Sequence, residues 1–332
     1  MGMDVVIVTY NGLGCVEDCL RSLQNEAGLR IRVLDNASTD DTASWVRAHC
    51  PEALLTELPH NMGFGRANNV GIAEALAAGA PYVLLLNQDT VVPPGSLQQL
   101  QAFMDAHPEI GACSPLQVER DGLAPDPNTL LSYLCPHARP YLSDLVAGTV
   151  KPFYEVHGLN AAVWLVRATT FLRAGGFDPL FFMYGEDDDL LARWRHLGVR
   201  FALVPGVRVA HVRYRPPPSQ PPLGAVEREA RWAYSRLLLA AKVPGHSSAY
   251  VGRVLMVRGL LMPLLETMLD MRLPRLAGHW RAALSCLAQW RSIARHARVT
   301  AQAGAHFLSV GATARSTPTN APGSGATATL TD

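Results

Sequence analysis

The 332-residue chain predicts an α/β fold: a mostly parallel, Rossmann-like central sheet flanked by helices, with a C-terminal helical extension. Three observations carry this. Short apolar runs alternate with helix-length stretches from residue 4 to about 112, the signature of βαβ units. A proline-rich stretch at 216–223 then interrupts the chain as a stiff linker. Beyond it, residues 224–300 place Trp232, Trp280, Trp290 and many Leu on apolar helix faces with Arg interspersed.

The first strand is expected over 4–9, opening on Asp4-Val5-Val6-Ile7-Val8, followed by a helix near 14–26 and a strand over 30–35. Asn36-Ala37-Ser38-Thr39-Asp40 supplies capping residues, and Asp40 and Asp41 suit a helix's first turn, so the second helix falls near 40–49. A strand over 53–57, a helix over 65–78, a buried strand over 82–87 and a helix over 95–106 complete the repeat. Residues 113–152, rich in Pro, Asp and Gly, are expected as a loop-rich insertion over the open sheet edge, a position that suits an acceptor. Residues 156–176 hold another apolar strand and a turn at Gly175-Gly176, and a strand over 200–209 leads to His211. The apolar stretch 250–271 contains Arg253, Arg258, Pro263, Glu266 and Asp270, which argues for an interfacial or core helix over a spanning one. Residues 301–332, rich in Ala, Thr, Gly, Ser and Pro, are expected to be disordered.

At 48% hydrophobic and 17% charged residues, the chain suffices for one large domain, or one with an appendage. The net charge of +1 hides an asymmetry, because residues 223–300 hold twelve Arg or Lys against four Asp or Glu. An acidic body with a basic, apolar extension suggests a metal-using site beside an anionic surface, with no nucleic-acid partner expected. Six cysteines show no paired zinc spacing and are expected as packing thiols in a reducing compartment. With the N-terminus entering directly into a strand, a cytoplasmic address is expected, with the basic helices either peripheral at the inner face of the cell membrane or an ordinary appendage packing Trp and Leu onto the α/β domain.

Residues 181–190, Phe-Phe-Met-Tyr-Gly-Glu-Asp-Asp-Asp-Leu, set four consecutive carboxylates between aromatic side chains and a helix-like stretch. Like charges beside rings raise carboxylate pKa values and cost stability, so such clusters concentrate where chemistry needs them. The buried strand 82–87 delivers Asn87 and Asp89 at its carboxyl end, where open α/β sheets place ligands. Those oxygens suit Mg²⁺ or Mn²⁺, unless they only build the turn before Pro93-Pro94-Gly95. His211 gains meaning only if the fold brings its imidazole to the same edge. Gly12-Leu13-Gly14 after the first strand suggests a dinucleotide turn, but Glu17 stands where the third glycine is needed and would face a pyrophosphate. Asp35 can accept from a ribose or base, or serve as a helix N-terminal acid. Arg66, within Asn61-Met62-Gly63-Phe64-Gly65-Arg66, can meet a phosphate, or the segment can be a turn and a helix packed on the sheet.

Taken together these segments resemble the family 2 glycosyltransferases, in particular rhamnosyltransferase-like members that build cell-surface polysaccharides. The resemblance covers about residues 3–215. It rests on Val8-Thr9-Tyr10-Asn11, Asp35 to Asp40, Asn61-x-Gly63-Phe64 through Asn69-x-Gly71, Leu86-Asn87-Gln88-Asp89-Thr90, Gly176-Phe177-Asp178, Phe182 to Leu190, and Ala210-His211. It implies a GT-A fold with a nucleotide-sugar half over about 1–112 and an acceptor half over about 113–215. Inverting transfer from a nucleoside-diphosphate sugar, dTDP-rhamnose by subgroup, to a glycan or lipid-linked acceptor is also implied.

By the same resemblance Thr9, Tyr10, Asn11, Asp35 and Asn36 would hold the nucleotide. Asn61, Gly63, Phe64 and Asn69 would shape the floor under the diphosphate, with Asn87 and Gln88 beside them. Asp89 matches the last acid of the metal-binding Asp-x-Asp motif, His211 the C-terminal metal histidine, and Asp187 the catalytic base. Glu186, Asp189 and Tyr184 would lie on the acceptor side. Two departures are visible: Asn87 replaces the first Asp of Asp-x-Asp, and His157-Gly158-Leu159-Asn160 stands where the family has Gly and a small residue. Arg213 and Arg215 either reach the diphosphate or are surface residues before the linker. A rival from another class is a non-catalytic scaffold that binds nucleotide sugar or glycan, distinguished by whether Asp187→Asn abolishes turnover while donor binding persists. A nucleotidyltransferase is disfavoured, since no phosphate-cradling Gly-rich loop with Lys is present.

Overall fold

The computed structural model describes residues 2–24, 26–122, 124–127, 129–214, 225–244, 246–263 and 273–308. Arg215, the proline-rich stretch 216–223, Glu266, Asp270 and the tail from 309 lie outside these residues.

Four strands, β1 (Met3–Thr9), β2 (Leu29–Asp35), β3 (Leu54–Glu57) and β4 (Tyr82–Asn87), alternate with α1 (Val16–Leu23), α2 (Thr42–His49) and α3 (Phe64–Ala77). They run parallel in the spatial order β3-β2-β1-β4. Every residue of β1 is buried, and the side chains divide by parity. Val6 and Val8 join Val83 and Leu85 in a core under α3, whereas Val5 and Ile7 join Leu84 and Leu86 in a second core on the opposite face. Gly71 lets α3 settle on the sheet, because a Cβ there would stand 2.5 Å from a Val6 methyl.

After β5 (Thr90–Val91) and α4 (Ser96–Ala106), the sheet continues through β6 (Ile110–Val118), β7 (Tyr154–Val156), β8 (Val163–Arg167) and β9 (Arg200–His211). β8 lies between β4 and β6, antiparallel to both, and β9 runs parallel to β6. β5 and β7 pair with β9 in the opposite direction. The nine-stranded sheet of the described residues is therefore mixed, with β5, β7 and β8 running against the rest. Because β1 and β4 are neighbours from which the chain winds to opposite sides, the crevice beyond Thr9 and Asn87 is a topological switch point.

Residues 113–152 are more regular than expected from their composition. A π-helical turn (Thr129–Leu134), α5 (Cys135–His137) and α6 (Arg139–Ala147) follow β6. Asp126 starts this run by accepting from the Thr129 N–H and hydroxyl, while Tyr133, Leu134 and Tyr141 bury themselves in the first core. α7 (Ala168–Ala174) and α8 (Glu186–His196) flank the same core, which holds Trp164, Phe171, Phe177 and Trp194.

Downstream, α9 (Ala225–Ala241), α10 (Ser248–Val254), a π-helical segment (Leu255–Leu261) and helices Leu273–Ala288 and Trp290–Val299 share a third core around Leu237, Leu238, Val251, Leu255 and Ile293. Phe181 reaches into it from the loop before α8. No helix among the described residues is long and apolar enough to cross a membrane. Residues 301–308, expected to be part of the disordered tail, pack on the α/β body instead: Leu308 is buried, and the His306 carbonyl accepts from the Gly176 N–H at 2.9 Å. Leu308 and Phe307 are the apolar residues that compensate the Ala/Gly-rich composition around them.

Candidate active site

Asp35 ends β2 with both carboxylate oxygens engaged. The Thr9 hydroxyl donates to it at 3.0 Å, the Ser38 hydroxyl at 2.6 Å and the Ser38 N–H at 3.0 Å. Neighbouring Asn11 is bound to the same turn, its N–H donating to Ser38 Oγ and its Oδ1 accepting from the Thr39 N–H at 2.8 Å. Asn36 and Asn61 are linked at 3.1 Å, and the Met62 and Gly63 N–H groups donate to Asn36 and Asn61 respectively. Tyr10 and Gln88 exchange two hydrogen bonds across the switch point, tying the end of β1 to the turn after β4. Asn11, Ala37, Tyr184 and Arg213 all hold positive φ without being glycine, so four strained backbones gather in the segments singled out from sequence.

Two predicted residues are committed elsewhere. Asn69 clamps the backbone of Phe177, donating to its carbonyl at 2.7 Å and accepting from its N–H at 2.8 Å. Arg66 does not face a phosphate site; its guanidinium donates to the Pro179 carbonyl. Both fasten the floor under Phe64 to the loop that carries the acids, and Phe64 meets Phe177 edge-on at 6.0 Å. Gly63 completes the seam. Its φ is +83°, and a Cβ there would sit 2.2 Å from the Phe182 carbonyl oxygen.

Antiparallel pairing of Thr90 with His211 brings the imidazole to Asp89, with Nε2 at 3.4 Å from Oδ1. Burial acts to raise the Asp89 pKa, but the His211 ring and the Tyr214 N–H at 3.0 Å outweigh it and hold the carboxyl below its usual range. Among the described residues, buried Asn87 Oδ1 and His211 Nδ1 have no hydrogen-bond partner. Among the described residues no three His, Cys, Asp or Glu side chains are grouped tightly enough to form a metal cage. One carboxylate, one imidazole and an amide oxygen are instead the donor types that would suit a hard divalent ion.

The four acids of α8 occupy different environments. Burial, reinforced by the Asp187 charge, raises the Glu186 pKa from 4.5 to about 8. Burial and the Asp188 charge raise Asp187 from 3.8 to about 6. Asp188 is exposed, and its carboxyl is also raised, chiefly by desolvation. Asp189 turns away from the acceptor side expected for it: it binds Arg193 at 2.8 Å and Lys242 at 2.5 Å, both buried. Lys242 also meets Asp178 at 2.7 Å, and His296 closes on Asp178 at 2.9 Å. Burial opposes ionisation of Asp178, yet His296 and Lys242 hold its carboxyl well below the usual range. Asp189 is therefore a strut between α8 and the C-terminal helices. Its partner Lys242 lies far away in sequence, and no local pattern marks the pair.

Tyr184 is half-exposed and stacks on Trp232 at 5.1 Å, with planes 13° apart. Ser235 donates to the Met183 carbonyl at 3.2 Å, so α9 lies beside the acid loop. Arg213 bonds Asp126 at 2.5 Å, which ties the segment after His211 to the run that follows β6. All six cysteines are free, and burial raises the thiol pKa of Cys15, Cys19 and Cys113, as expected of packing thiols.

A family model described as "Glycosyl transferase family 2" matches residues 4–158, and one described as "Glycosyl transferase family group 2" matches residues 82–308. The chain is 30% identical over 234 residues to the N-acetylglucosaminyl-diphospho-decaprenol L-rhamnosyltransferase of Mycobacterium tuberculosis, covering 63% of this chain and 75% of that protein. It is also 30% identical over 166 residues to rhamnosyltransferase WbbL of Escherichia coli K12, covering 45% and 60% respectively. Among solved structures, Staphylococcus aureus TarS 1-349 in complex with UDP-GlcNAc superposes with a TM-score of 0.56 at 17% identity, over 87% of this chain and 81% of that one. Mannosyltransferase PcManGT from Pyrobaculum calidifontis, in complex with GDP-Man and Mn²⁺, gives a TM-score of 0.50 at 19% identity, over 90% and 85%. At those identities the structural likeness speaks for the fold.

Proposed function

The chain belongs to glycosyltransferase family 2 and is a glycosyltransferase of GT-A fold, and we propose that it transfers rhamnose from dTDP-rhamnose, with inversion, to a glycan or lipid-linked acceptor of cell-surface polysaccharide synthesis. The observation that carries this reading is the meeting of Asp89 and His211 at the switch point. Sugar and acceptor follow the names of the two rhamnosyltransferases, one of which acts on a diphospho-decaprenol-linked sugar.

In this reading the turn of Asp35, Asn36 and Asn11 receives the nucleoside, and Asn61 and Gly63 lie under the diphosphate. Asp89 and His211, with the Asn87 amide oxygen, would hold Mg²⁺ or Mn²⁺. That ion supplies neutralisation of the charge that grows on the departing diphosphate. Asp187 acts as general base: ionised above about pH 6, it takes the proton of the acceptor hydroxyl as that oxygen attacks the anomeric carbon. One base suffices, since a diphosphate leaves without protonation. Glu186, with its pKa near 8, stays protonated at neutral pH and so adds no second charge beside the base. Membrane attachment of the basic helices at an anionic cytoplasmic leaflet belongs to the same proposal.

The test is release of nucleoside diphosphate from a panel of nucleotide sugars, with Mg²⁺ or Mn²⁺ against chelator, for wild type and Asp187→Asn. Metal-dependent release from dTDP-rhamnose that disappears in the variant supports the reading. Release from another donor alone, or release indifferent to chelation, overturns the sugar or the metal assignment respectively.

A further inference from the structure

A cavity of about 480 Å³ opens among the C-terminal helices, away from the Asp89–His211 pair. Its apolar walls come from Ala233, Leu237, Val257 and Met262, and two arginines, Arg236 and Arg258, face into it from α9 and the π-helical segment. Among the described residues neither guanidinium has a carboxylate partner, whereas Arg231 and Arg281, on the same bundle, are both paired with Glu227. Two unpaired guanidiniums on an apolar groove match an amphiphile with a phosphate head and a hydrocarbon chain.

The groove is joined to the acid loop by one helix face. Trp232, stacked on Tyr184 two residues before Glu186, and Arg236 stand four apart on α9, about 6 Å along its axis. That separation is comparable with a sugar ring. We propose that Arg236 and Arg258 bind the phosphate or diphosphate of a lipid-linked acceptor, with the lipid chain on Leu237, Val257 and Met262 and the sugar passing under Tyr184 and Trp232 towards Asp187. The assignment rests on the transferase reading for its last clause only; the phosphate-lipid site stands on the groove itself. Exposed Met256, Leu261, Trp280 and Leu284 extend the apolar surface of these helices, so a long chain need not be enclosed.

Equilibrium dialysis of radiolabelled farnesyl diphosphate against the full chain tests the site without any transfer step. Saturable binding to wild type, at least tenfold weaker in the double variant Arg236→Gln, Arg258→Gln, is expected. Farnesol and inorganic diphosphate should each compete at least tenfold less well than the intact amphiphile. Undiminished binding by the double variant, or equal competition by inorganic diphosphate, overturns the proposal. Sedimentation with phosphatidylglycerol vesicles separates the acceptor from the bilayer: a vesicle affinity that falls in parallel with farnesyl diphosphate binding would assign the arginines to the membrane and sink the acceptor site. With a lipid-linked acceptor, KM for that acceptor should rise at least tenfold in the double variant while donor hydrolysis is unchanged. If no donor turns over but farnesyl diphosphate binding still depends on the two arginines, the transferase chemistry fails and the groove assignment survives.

Discussion

Replacing Glu186 by Gln should stabilise the protein, although Glu186 stands next to the proposed base. The carboxyl is buried, one of its oxygens has no partner among the described residues, and its pKa rises from 4.5 to about 8 on folding. Between those two values the folded state binds a proton that the unfolded state has released. Stability is therefore lost as pH climbs from 4.5 through 8 and is regained on acidification. At pH 7 the wild type must take up that proton against 2.5 pH units (from 4.5), which costs about 3 kcal/mol; above pH 8 the full shift approaches about 5 kcal/mol. Gln keeps the shape and never ionises. Urea unfolding followed by circular dichroism at pH 5, 7 and 9 reads the difference directly, and a gain of about 3 kcal/mol at pH 7 moves the midpoint by roughly 1 M or more with m unchanged. A stability difference that is flat between pH 5 and 9, or a variant less stable at every pH, would refute the protonated, desolvated Glu186.

Asp187→Asn should cut sugar transfer by about 10²- to 10⁴-fold while donor affinity, followed by calorimetry, stays within about twofold of wild type. For the wild type, kcat/KM should fall below about pH 6 as Asp187 gains its proton, and an acid limb centred below pH 4.5 would exclude it as the base. Lys242→Met leaves Asp178 and Asp189 buried with one cation fewer, and should cost about 3–5 kcal/mol in chemical unfolding; a cost under about 1 kcal/mol would mean the pair does not depend on it. Gly63→Ala drives a methyl into the Phe182 carbonyl at positive φ, and should lower stability by about 2–3 kcal/mol and weaken donor binding together.

The first four strands and the acids at their ends were legible because parity and periodicity are local. Thr9, Asp35, Asn87 and Asp89 all fall at strand ends near the switch point, as their spacing implied. What stayed hidden was set by contacts distant in sequence. Asn69 resembles a ligand-facing amide until Phe177 is seen to occupy both its ends. Asp189 sits within the acid run, and only the fold shows Lys242 beneath it. Order in residues 113–152 was masked by Pro and Asp, since the deciding burial involves only a few side chains such as Tyr133, Leu134 and Tyr141. The antiparallel insertion of β8 between β4 and β6 has no signature in either neighbour, because strand order is settled by tertiary packing.

The buried strut from Lys242 to Asp178 and Asp189 also bears on how such enzymes diversify. Gene fusion that exchanged everything after the proline-rich stretch would import a new set of helices under an old pair of carboxylates. Unless the incoming segment brought a cation to the same point, the recombinant would strand negative charge beneath α8. Acceptor preference in this lineage is thus expected to drift by exchanges on the outward faces of α9 and its neighbours, with Lys242, Asp178 and Asp189 inherited as one unit.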